Sequence, residues 1–139
     1  MTDLTRVDDH APESPNSMFD EWVPVCPANR IRAERGVAAL VHGVPVAIFR
    51  LPTTGADLWC CVDHIDPVTG VPVMARGLVG STGEHDRPTV ASPLYKQRYD
   101  LVTGEGIDDP TRSIGVHACE VRDGKVVVRL GNPETVIVR

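Results

Sequence analysis

From Glu21 onward, apolar residues recur in short alternating runs separated by Gly and Pro. "EWVPVCP" alternates and stops at Pro27. "GVAALVHG" and "VPVAIFRL" follow, split by His42-Gly43, a pair suited to the left-handed backbone of a two-residue hairpin turn. "ADLWCCVD" comes after the Thr53-Thr54-Gly55 break. Further on lie "GVHACEVRDG", "KVVVRL" and "ETVIVR", and Asp123-Gly124 is the strongest hairpin signal in the chain. Only "ANRIRAER" could form a helical turn or two, and twelve prolines interrupt the rest. The pattern predicts an all-β domain, a small sandwich or barrel of short strands.

Two stretches depart from this pattern. Residues 1–18 are polar and acidic, and a disordered tail is expected there. The domain then occupies residues 19–139. Between 63 and 110 turn residues crowd together in "DHIDPVTGVP", "VGSTGEHDRPT" and "SPLYKQRYDLVTGEGIDDP", which predicts a loop-rich subdomain set into the β domain. No internal repeat is evident.

Composition narrows the function classes. The 139 residues make one domain, able to bury roughly two thirds of its unfolded surface without disulfide staples. A net charge of −5 with no Lys/Arg run argues against nonspecific nucleic-acid binding. No apolar stretch approaches the ~20 residues of a membrane span, and the N-terminus lacks a signal-peptide core. Cys26, Cys60, Cys61 and Cys119 are irregularly spaced and read as reduced, packed thiols of a cytoplasmic protein.

Candidate chemistry is sparse. Cys61 and His64 have Cys-x-x-His spacing, and His117 alternates with Cys119, a combination that zinc accepts. Cys61 lies in an apolar β run, however, and all four residues are read as having a packed or surface role. Asp63, Asp66, Asp108 and Asp109 sit in turns, where Asp is favoured by its own backbone bonding rather than for acid–base work. Gly77-x-x-Gly80 lacks the strand–helix context of a nucleotide loop. Trp22 and Trp59 are expected as core residues at the edges of strands.

The order of "DPVTG" (Asp66 to Gly70), "SPLYKQ" (Ser92 to Gln97) and "YDLVTGE" (Tyr99 to Glu105) resembles a Rieske-type domain. Such domains carry Cys-Pro-His-x-Gly, Cys-Pro-x-His-Gly and aromatic-Asp-x-x-Thr-Gly in that order. Pro67, Gly70, Pro93 and Thr103-Gly104 keep the scaffold. The four positions that would ligate a [2Fe-2S] cluster are Asp66, Val68, Ser92 and Tyr95. Val68 has no lone pair, and Asp66 and Ser92 offer hard oxygens where sulfide-bridged iron prefers thiolate. The resemblance therefore implies a Rieske-like fold whose cluster ligands are lost.

With "ARGLVG" and "VASPLYKQRYDL" added, the chain resembles, over roughly Glu21 to Arg129, the small-subunit family of NAD(P)H-dependent assimilatory nitrite reductases (the NirD family). That resemblance implies a non-catalytic, cofactor-free subunit without an active site of its own. Its large-subunit partner would carry sirohaem, [4Fe-4S], FAD and the NAD(P)H site, and reduce nitrite to ammonia. Arg76, Tyr95, Lys96 and Arg98 are the expected docking residues. Val68 and Tyr95 are further expected to fill the space between the loop tips, since burying such side chains is worth ~1.5–3 kcal/mol each. The competing readings are a working Rieske-type [2Fe-2S] ferredoxin, against which the missing ligands speak, and a Rieske-like module for some other partner.

Overall fold

The protein was analysed as a computed structural model that describes residues 20–131. The expected tail over 1–18 and the expected strand "ETVIVR" lie outside the described residues. The regular structure of the described residues is mostly β, with nine strands: β1 Val23–Pro27, β2 Gly36–Val41, β3 Val44–Pro52, β4 Asp57–Asp63, β5 Leu78–Thr82, β6 Arg87–Ala91, β7 Arg98–Asp100, β8 Val116–Arg122 and β9 Lys125–Arg129. The "ANRIRAER" segment yields one 3₁₀ turn, Ala28–Arg30, and a second turn spans Met74–Arg76.

Six strands form one antiparallel sheet in the order β1-β9-β8-β4-β3-β2. Its ends curl toward each other, giving a nearly closed barrel. The β2–β3 and β8–β9 hairpins close through His42-Gly43 and Asp123-Gly124, and all four residues take positive φ. That is the backbone a two-residue hairpin demands and an Asn/Asp/His-Gly pair tolerates. The strands β5-β6-β7 form a second, three-stranded sheet.

The pleat of β3 explains why "VPVAIFRL" is apolar throughout. Val46 and Ile48 face the barrel interior with Val25, Val41, Cys61, Val126 and Val128. Ala47, Phe49 and Leu51 face a second core with Cys60, Val62, Met74, Val90, Tyr99, Leu101 and Ile114. Alternate side chains of one strand thus wall two cores. The second core is the platform beneath the segment between β4 and β8. No helix among the described residues is long and apolar enough to cross a membrane.

The two tryptophans differ from expectation. Both are half-buried at the surface, Trp22 beneath the guanidinium groups of Arg122 and Arg129 (4.4 and 5.0 Å from the ring centre) and Trp59 beneath Arg50. Cation–π contact covers the outer side of each indole, and Trp59 packs its other side against the barrel core.

Candidate functional site

Three loops of this segment share one hydrogen-bonded turn. In the first, Asp66 N–H donates to Val71 O (2.8 Å), Gly70 N–H to Asp66 O (2.8 Å), and Val68 N–H to Asp66 Oδ1 (2.8 Å). In the second, Ser92 N–H donates to Gln97 O, Lys96 N–H to Ser92 O, and Leu94 N–H to Ser92 Oγ. In the third, Asp100 N–H donates to Glu105 O, Gly104 N–H to Asp100 O, and the N–H groups of Val102 and Thr103 to Asp100 Oδ1. The residue that closes each turn has positive φ: Gly70 at 77°, Lys96 at 64° and Gly104 at 81°. Sequence reasoning found no internal repeat, yet "DPVTG" and "DLVTG" differ at one position and were the available signal. A short side-chain oxygen opens each turn because Asp and Ser can bond their own backbone two residues on.

The first and second loops are joined. Ser92 Oγ donates to Asp66 Oδ2 at 2.6 Å, and both residues are 1% exposed. The Tyr99 hydroxyl, also buried, has no hydrogen-bond partner among the described residues. Its pKa is raised by burial first and by the Asp66 carboxylate second. The third loop is secured from outside. Arg87 Nε donates to Asp100 Oδ2 (2.7 Å) and its other arm pairs with Glu105 (2.9 Å).

The tips lie the other way. Val68 is 36% exposed and Tyr95 69%, with Val71 and Leu94 also exposed beside them. The expectation that Val68 and Tyr95 would fill the space between the tips is therefore corrected. The Asp66–Ser92 hydrogen bond ties the loops from within, so no apolar plug is needed: Tyr95 stands largely in solvent and Val68 is only partly covered.

The remaining predicted docking residues separate. Lys96 follows Tyr95 at the tip of the second loop. Arg98 is committed to Asp108, which receives its backbone N–H (2.9 Å) and a guanidinium fork (2.8 and 3.2 Å). These bonds hold Asp108 below the usual carboxylate range. Arg76 lies on the turn Met74–Arg76, away from either tip in sequence, and its charge, after burial, helps lower the pKa of His64.

The residues at the four positions where the resemblance leads one to expect cluster ligands do not fit an iron–sulfur cluster. The carboxylate of Asp66 and the hydroxyl of Ser92 are already hydrogen-bonded to each other and to loop N–H groups, Val68 has no donor atom, and the Tyr95 side chain is largely exposed. The cysteines lie in the strands β1, β4 and β8, outside these loops. Burial pushes the thiols of Cys60 and Cys119 up to about 12 and that of Cys61 well above its ordinary value. His64 Nδ1 accepts the Ala75 N–H. His117 sits between Asp63 Oδ1 (2.8 Å) and the Gly131 N–H (2.8 Å). Among the described residues no group of His, Cys, Asp and Glu is arranged to hold a metal ion, the zinc candidates included.

Comparison with known proteins places this geometry in context. The profile of the Rieske-like [2Fe-2S] domain family matches residues 21–129. The nitrite reductase (NADH) small subunit of Escherichia coli K12 is 36% identical over 112 residues, covering 80% of this chain and 99% of that protein. The NMR structure of the E. coli protein NirD superposes with a TM-score of 0.69 and 35% identity, over 81% of this chain and 98% of that one. The Klebsiella oxytoca nitrite reductase [NAD(P)H] large subunit is 32% identical over 77% of this chain, a match that takes up 11% of the Klebsiella protein.

Proposed function

Since the chain belongs to the Rieske-like [2Fe-2S] domain family, and within it to the nitrite reductase small subunits, we propose that it works as a cofactor-free, non-catalytic subunit. It docks on a large subunit that carries sirohaem, [4Fe-4S], FAD and NAD(P)H and reduces nitrite to ammonia in the cytoplasm. The observation that carries this reading is the buried Asp66–Ser92 hydrogen bond. It joins the two loops at the positions where the Rieske resemblance puts thiolates, so the loops keep their shape with no metal between them.

The exposed tips supply the docking face. Tyr95, Leu94, Val68 and Val71 expose apolar surface next to Lys96, and aromatic residues are enriched at the centres of protein interfaces. Arg98, held by Asp108, supports the tip more than it contacts the partner. The Klebsiella match supports association with a large subunit, because a segment like this chain is there part of one.

The test is iron and zinc content with a visible spectrum, on protein purified without oxygen, followed by binding to the large subunit. Colourless protein with sub-stoichiometric metal that binds the large subunit is expected. Brown protein with about two irons per chain would return the chain to the ferredoxin reading.

A further inference from the structure

Ten arginines fall among the described residues, and they divide sharply. Arg50, Arg87, Arg98, Arg112 and Arg122 are ion-paired, and Arg129 lies over the Trp22 ring. Arg30, Arg32, Arg35 and Arg76 have neither an ion pair nor a side-chain hydrogen bond among the described residues. These same four line one groove of about 750 Å³. On a chain of net charge −5, four of 14 basic residues are gathered in one concavity, where Glu34 is the single carboxylate of the lining and pairs with none of them among the described residues.

The fold builds this groove deliberately from two distant segments. Ile31 is fully buried in the barrel core and Glu34 N–H donates to Arg50 O (2.7 Å), which pins the link between β1 and β2 and leaves Arg30, Arg32 and Arg35 exposed around the anchor. Gly36 then packs so closely on the Ala75 carbonyl that a Cβ would collide with it. That approach sets Arg76 beside the other three. Gly77 makes the same kind of approach to the Ala91 carbonyl, at the end of the strand leading into the second loop.

We propose that this groove is a second docking surface, which receives a carboxylate-rich segment of the large subunit; this rests on the functional reading above. Guanidinium forks match carboxylates bidentately, and a cleft lined by one sign of charge focuses its field on an incoming partner. Leu78, 78% exposed, stands at the groove as an apolar contact. No aromatic side chain lines it, so it offers no surface on which a nucleobase could stack. Glu34 also lies in the groove, but no guanidinium pairs with it among the described residues. Burial first, and the Arg76 charge second, lower the pKa of His64.

The experiment measures binding of the full chain to the purified large subunit at low and high salt, for wild type, Arg32→Glu/Arg35→Glu and Arg32→Ala/Arg35→Ala. All four arginines are exposed, so the variants should fold, and circular dichroism checks this. Wild-type binding is expected to weaken with salt. The charge-reversed variant should bind roughly 100-fold more weakly, with most of the loss in association rate, and the alanine variant should lie between. Variants that bind as tightly as wild type would overturn the groove proposal and leave the functional reading standing. A wild-type chain that does not bind at all would overturn both. Tight, saturable binding of inorganic pyrophosphate that the substitutions abolish, with subunit binding unchanged, would assign the groove to a phosphate ligand instead. Salt-sensitive self-association lost in the variants, with subunit binding unchanged, would assign it to a second copy of the chain.

Discussion

The loops over 66–71 and 92–97 have the same backbone turn but load it differently. The first closes on Gly70, whose positive φ is free of steric cost and whose surroundings are open. The second closes on Lys96, a residue with a Cβ held at φ 64°. The first opens with a carboxylate that accepts two hydrogen bonds, the second with a hydroxyl that donates one and accepts one. The loop over 100–105 repeats the turn a third time and is held by Arg87. The same hydrogen-bond pattern recurs in all three, built on a backbone turn and the side-chain oxygen that opens it. The side chains decide what each turn is fastened to.

The largest effect should come where the turn has no room. A Cβ at Gly104 would face a left-handed backbone and run into the Ile114 carbonyl oxygen, so Gly104→Ala is expected to cost about 3 kcal/mol or more. Gly70→Ala has only the backbone term and should cost about 1 kcal/mol. Urea unfolding of the two variants measures both, and equal losses would show that the loops are not equivalent turns in different settings.

Next is the fastening between the first two loops. Asp66→Ala strands the Ser92 hydroxyl and the Val68 N–H and is expected to cost about 2–3 kcal/mol; Ser92→Ala should cost about 1–2 kcal/mol. A double-mutant cycle should return a coupling of about 1 kcal/mol. Additive losses would mean that the loops stand independently.

The smallest effect is a gain. Lys96→Gly removes the left-handed penalty at the tip of the second loop and should stabilise the fold by up to about 1 kcal/mol in thermal unfolding, less what glycine adds to unfolded-chain entropy. A loss would mean that the Lys96 side chain supports the tip. The same substitution removes the one cation at that tip, so subunit binding measured alongside separates strain from contact.

These loops also show where sequence reading reached and where it stopped. The β2–β3 and β8–β9 hairpins were legible because His42-Gly43 and Asp123-Gly124 state their backbone requirement locally. The β5–β6 hairpin was not. Gly80, Ser81 and Thr82 carry little apolar payload, and Pro88 sits in β6, the middle strand, where proline is disfavoured. The strand survives because the Pro88 carbonyl still receives the Leu101 N–H and Val90 is fully buried. At the site, motif spacing singled out Asp66 and Ser92, but a side-chain contact across 26 residues left no local trace. That unseen tie is also why Val68 and Tyr95 were wrongly expected inside. Arg76 was grouped with the second loop rather than with its groove neighbours, because only the packing of Gly36 on Ala75 brings Arg30, Arg32 and Arg35 beside it.

The full or partial burial of the strand cysteines has a practical side. With Cys60 and Cys119 titrating near 12 and Cys61 sealed in the barrel, a maleimide at neutral pH meets almost no native thiolate, Cys26 being the most approachable of the four. A single cysteine introduced at Tyr95 or Leu78 would therefore take a fluorescent label selectively, and the chain could report its own docking, tip and groove separately, in real time.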